Sequence, residues 1–148
     1  MSGKDMLFNM DVLKQLTHTQ RIIFLRALAK MSSVDGNFDA QEKEFIYNTG
    51  SILGLSATEI EDIFAHLDYD TVLRDAAQLN NRHAALELLK ELCLLAHTDN
   101  ELSDQEVLFL GQIGEAMGIE LQKIEDISSW VINYIVWRDQ EKIIFEKF

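Results

Sequence analysis

The chain has 148 residues, 47% of them hydrophobic, and its 25 acidic against 13 basic side chains give a formal net charge of −12. That is room for one domain with a hydrophobic core, and the negative field repels phosphate backbones and anionic lipid headgroups, which excludes nucleic acid as a partner. No proline occurs while Leu, Ile, Ala, Glu and Lys abound, so an all-α fold is expected, a compact bundle of about seven to eight helices spanning residues 1–148 as one domain.

The opening stretch MSGKDMLFNMDVLKQL lacks the basic start and unbroken apolar core of a secretion signal. No later stretch reaches about 18 apolar residues without a charge. A cytoplasmic protein without direct membrane insertion is expected. Val12, Leu13 and Leu16 predict a short helix lying over the core.

From there the chain is written twice. Shifted by 64 positions, residues 24–63 align without a gap to residues 88–127, with identities that include Leu25/Leu89, Leu28/Leu92, Asp35/Asp99, Glu42/Glu106, Phe45/Phe109, Gly50/Gly114 and Gly54/Gly118. Repetition at this period predicts two pseudo-symmetric three-helix units, about residues 21–67 and 82–128, burying a joint core. In the first helix of each unit the stripe Leu25, Leu28, Ala29, Ser32 matches Leu89, Leu92, Cys93, Ala96; the small residues let these two helices cross closely at the centre. Cys93 is the sole cysteine, so no internal disulfide forms, and it reads as core.

The second helix of each unit carries Phe45, Ile46, Thr49 and Leu53, matched by Phe109, Leu110, Ile113 and Met117. Gly54 and Gly118 follow, each succeeded by an apolar residue, as at a left-handed helix terminus. The third helix of the first unit opens on a capping box, Ser56 to Glu59, and buries Ile60, Ile63, Phe64 and Leu67; in the second unit Glu120 and Gln122 replace Ser56 and Thr58, and the box is lost. Between the units a bridging helix, about residues 70–80, is predicted to open at Asp70 and close at Asn80 and Asn81.

The last segment, residues 129–148, continues the third helix beyond its repeat partner. Ile127, Val131, Tyr134 and Ile135 extend the buried stripe, while Trp130, Trp137, Ile144 and Phe148 form a second apolar line that meets the first at Tyr134. Either the helix folds back and these aromatics fill the core between the halves, or the face contacts a partner helix or a second copy in a homodimer, Trp and Tyr being favoured interface anchors.

The two loops VDGNFDAQE and TDNELSDQE resemble the back half of a calcium loop, yet the first acidic ligand is missing from both, and calcium needs six to eight oxygens. Helix capping explains more of the letters. Gly36 and Asn100 tolerate positive φ, while Asp39 and Ser103 are N-cap residues with Glu42 and Glu106 three positions on. Asp35 and Asp99 are left over: each either accepts bonds from its own loop, or joins a divalent-cation site built from Asp35, Asp39 and Glu42, or from His97, Asp99 and Glu106. A divalent cation is thus the sole cofactor that the sequence suggests.

The sequence MSSVDGNFDAQEKEF, and more weakly LAHTDNELSDQEVLF with Asn100 in place of glycine, resembles the TerB-like tellurite-resistance family and is similar to the N-terminal domain of the DjlA co-chaperones. The resemblance covers about residues 20–128. It implies an all-helical stress-response domain without known catalysis, acting through protein partners that include membrane-bound ones, with Asp35, Asp39, Glu42, Asp99 and Glu106 as positions for metal ions. Independently, no nucleophile with its base, phosphate cradle or His-Glu-x-x-His motif is found, and His18, His66, His83 and His97 are dispersed, so an enzyme is not expected. His97, ending a core-facing helix, reads more readily as a structural hydrogen-bonding residue than as a ligand.

Overall fold

A computed structural model describes residues 10–36, 38–97 and 102–147, and it is all-helical there. The element order is α1 (Met10–Gln15), α2 (His18–Ser33), α3 (Ala40–Ile52), α4 (Ala57–Ala65), α5 (Tyr69–Ala77), α6 (Arg82–Ala96), α7 (Asp104–Ala116) and α8 (Leu121–Ile144). Among the described residues no helix is long and apolar enough to cross a membrane.

The two helices expected at the centre are there. α2 and α6 pack against each other, α3, α4 and α5 lie against α2, α7 and α8 lie against α6, and α5 bridges to α7. Leu25, Leu28 and Ala29 on α2, and Leu89, Leu92 and Cys93 on α6, have no exposed surface. Complete burial of each such leucine contributes about 1.5–3 kcal/mol. α1 covers one end through Leu13 and Leu16, and Arg21 ties it down by donating to the carbonyls of Leu13 (3.0 Å) and Leu16 (3.3 Å), with a further bond to Leu53 (3.1 Å) at the end of α3. One guanidinium thereby donates to three carbonyls at or beside helix ends.

Matched positions of the two halves share local structure. Gly54 (φ +77°) and Gly118 (φ +74°) end α3 and α7 in the same way. The N–H of Leu55 donates to the Gly50 carbonyl and that of Ile119 to the Gly114 carbonyl, both at 2.9 Å, and each apolar residue folds back into the core. Gly50 and Gly114 are also close-packing sites. A methyl group placed on Gly50 would lie 2.6 Å from Ile60 Cδ1 and 3.0 Å from Leu25, and one on Gly114 would collide with Ile124, the residue matched to Ile60.

The bridging helix begins earlier than expected. Asp68, not Asp70, is its N-cap, because the Asp68 carboxylate accepts from both the backbone N–H (3.0 Å) and the hydroxyl (2.9 Å) of Thr71. Those two bonds hold the Asp68 carboxyl below its usual pKa, and Asp70 lies inside the first turn. The helix also ends earlier than expected, at Ala77 with Gln78 as its C-cap; Asn80, at φ +49°, lies in the turn beyond, and Asn81 opens α6 by accepting from the Ala84 N–H at 3.1 Å. The buried Arg26 of α2 reaches across to Asp75 and fixes α5 against the core.

Candidate functional site

The α2–α3 loop is built by its caps. Gly36 (φ +94°) turns the chain out of α2, and the Asp39 carboxylate accepts the Glu42 N–H at 2.8 Å while Glu42 accepts the Asp39 N–H at 3.1 Å. The α6–α7 loop ends in the same device, with Ser103 accepting from Glu106 at 3.1 Å and Glu106 from Ser103 at 2.8 Å. Three of the proposed ligands, Asp39, Glu42 and Glu106, therefore serve helix starts. Asp35 stands exposed in the turn after α2. Asp99 and the Asn100 turn lie outside the described residues.

His97 caps the end of α6, where it is buried and its Nε2 lies 3.3 Å from the Ser128 hydroxyl on α8. Burial lowers its pKa, with the nearby Glu106 charge opposing that shift. Among the described residues no three His, Cys, Asp or Glu side chains converge as metal ligands. Cys93 is fully buried and its thiol is pushed up to about 12, so no thiolate is available there for chemistry.

The second candidate is α8. It runs unbroken for 24 residues, so the aromatics do not fold back between the halves. Val131 is fully buried, and Ile127, Tyr134 and Ile135 pack half-buried on the core, as the stripe required. Trp130 is 54% exposed and Trp137 63%, with Ile144 exposed on the same side. Trp130 stacks on Tyr134 (centroids 6.1 Å apart, planes at 10°), and the Arg138 guanidinium lies 5.8 Å from the Tyr134 ring on its other flank. Trp130 also walls a shallow apolar recess of about 450 Å³ against Leu86 and Lys90 of α6. Phe148 lies outside the described residues.

Sequence reasoning missed the other flank. Leu121, Ile132, Val136 and Ile143 form a further exposed apolar line along α8, and α7 adds Val107 and Leu108, 53% and 58% exposed. Of the eleven large hydrophobic side chains exposed among the described residues, ten lie on α7, α8 or the cap residue Phe145, and the remaining one is Ile52. The signal was available in the repeat itself: the positions matched to Val107 and Leu108 are Lys43 and Glu44, so the fold does not require apolar residues there.

The start of α8 is held electrostatically rather than by a cap. Glu120 makes no side-chain cap bond; its carboxylate instead receives Arg82 of α6 in a bidentate pair at 2.8 and 3.0 Å, which draws its pKa down to about 2. Neither family models, nor curated proteins, nor solved structures give a match to this chain.

Proposed function

We propose that this chain is a non-enzymatic interaction domain of the TerB-like kind, working in the cytoplasm in a stress response through protein partners, some of them membrane-bound, that bind the aromatic face of α8. The observation that carries the reading is the concentration of exposed apolar side chains on α7 and α8. Contiguous apolar surface is costly to leave in water and marks interaction sites on monomeric domains. Trp130, Tyr134 and Trp137 supply rigid aromatic anchors of the type that dominate interface energies, and Ile144 lengthens the same line. The stress-response part of the reading rests on the resemblance of the two loops.

The test is complementation. Cells lacking the chain are plated on tellurite and supplied with the wild type or with Trp130→Glu/Trp137→Glu. Wild-type rescue with loss in the variant is expected. Equal rescue by both would remove the aromatic face from the function, and an absence of any wild-type effect would remove the stress reading. The divalent-cation reading ranks second, because capping accounts for Asp39, Glu42 and Glu106. Calorimetric titration with calcium, magnesium and zinc would revive it through heat that disappears in Asp35→Asn or Asp99→Asn.

A further inference from the structure

Between α7 and the start of α8 runs a groove of about 730 Å³, distinct from the aromatic face. Its walls are the exposed side chains of Val107, Leu108 and Leu121, and Ile119 and Ile124 lie at its base. Gly111 lines it without a side chain, and nothing lies within 4 Å of where its Cβ would be, so the groove is open to close approach along α7. Gln112 also lines the groove, but its side-chain oxygen is buried. The charged residues lining the groove are both acidic, Glu115 and the Arg82-paired Glu120.

We infer that this groove docks an amphipathic helix of another protein, whose apolar face carries Lys or Arg along its edge. The other half of the molecule supplies the control. At the matched positions α3 bears Lys43 and Glu44, and Tyr47 stands in place of Gly111 with its ring 5.4 Å from Phe64. The same fold is thus made with a polar, filled surface, and the apolar trough of α7 is unexplained by packing. A trough laid along a helix pair fits the helix-in-groove mode, in which anchors at i, i+3/i+4 and i+7 enter an apolar channel. The Glu115 edge on a chain of net charge −12 selects a basic partner and disfavours both a second copy and an anionic membrane.

The test uses a fluorescent peptide of leucine and lysine in amphipathic helical spacing, with a leucine–glutamate peptide as its counterpart, followed by anisotropy at physiological salt. The protein is compared with Val107→Lys/Leu108→Glu, which installs the first-half residues and leaves net charge unchanged, and with Gly111→Leu, which fills the trough. Binding of the lysine peptide is expected, with the dissociation constant raised about tenfold or more in both variants, as for loss of central anchors. Ser51→Ala, at an exposed position of α3, is expected to bind as the wild type does. Equal binding by the wild type and Val107→Lys/Leu108→Glu would show attraction to net charge alone and overturn the inference. So would equal binding of the two peptides, no binding of the lysine peptide, or a wild-type dimer in light scattering that the double variant dissolves. Circular dichroism confirms that both variants fold, since both sites are open.

Discussion

The outer face of α3 and the outer face of α7 occupy matched positions in the chain and are finished in opposite ways. On α3, Lys43 and Glu44 face solvent and Tyr47 joins Phe38 and Phe64 in a cluster of rings 5.2–5.4 Å apart. At the three positions matched to those rings the second half has Leu102, Gly111 and Ser128, and Ser128 instead meets His97. Several inward-facing positions are identical: Leu28 and Leu92, Ile63 and Ile127, and Gly50 and Gly114. What the pair teaches is that burial constrains the inner faces more than the outer ones, which are free to diverge. Divergence toward exposed hydrophobes then needs a cause outside the fold.

If that is right, core changes must be felt alike in both halves. Leu28→Ala and Leu92→Ala, at fully buried sites, are each expected to lose about 2–5 kcal/mol in urea denaturation. A loss confined to one of them would break the equivalence of α2 and α6. Next come the close-packed glycines. Gly50→Ala and Gly114→Ala should destabilise through overpacking of about 1–3 kcal/mol, partly offset by a helix-propensity gain of about 1 kcal/mol. The expected order is Gly114 worse than Gly50, since its added methyl sits closer to the isoleucine; stabilisation by either would contradict the packing described.

Asp39→Ala and Ser103→Ala remove equivalent caps and are expected to cost about 0.5–2 kcal/mol each, read from thermal melts. Glu120→Ala, at a helix start without a cap bond, should cost less than either. The smallest effect separates the halves by pH. His97 is held neutral by burial, so its folded pKa lies below its ordinary value. A group with a depressed folded pKa leaves stability intact above the unfolded value, near 6.5 for histidine, and withdraws it as pH falls toward the folded one. Denaturation midpoints should therefore drop on acidification below about pH 6.5, and less steeply in His97→Gln. Parallel slopes for the two proteins would mean that His97 does not titrate with folding.

Much of this was legible in the letters because helix ends and buried stripes are local. Asp39-x-x-Glu42, Ser103-x-x-Glu106 and Ser56-x-x-Glu59 name their own caps, and all three form. Gly54 and Gly118 likewise announced the ends of α3 and α7. Asp68 and Asp70 flank Tyr69 and are equally plausible caps by spacing; only the reach of the Asp68 carboxylate to Thr71 decides between them. The outer surface was harder. Periodicity collects apolar residues into the stripe that faces the core, so Val107, Leu108, Ile132 and Val136, which lie off that stripe, give no periodic signal. Whether α8 would fold back over Trp130 and Trp137 depends on tertiary contacts that helical spacing does not encode.

Site-directed photocrosslinking in the source cell tests the central claim most directly. A benzophenone amino acid is placed at Leu108 or Trp137 on the second half, and at Lys43 or Ser51 on the first. Discrete protein adducts from the first pair of positions, and none from the second, are predicted. Adducts of equal yield from both pairs, or adducts only from Lys43 and Ser51, would contradict the assignment of function to the α7–α8 surface.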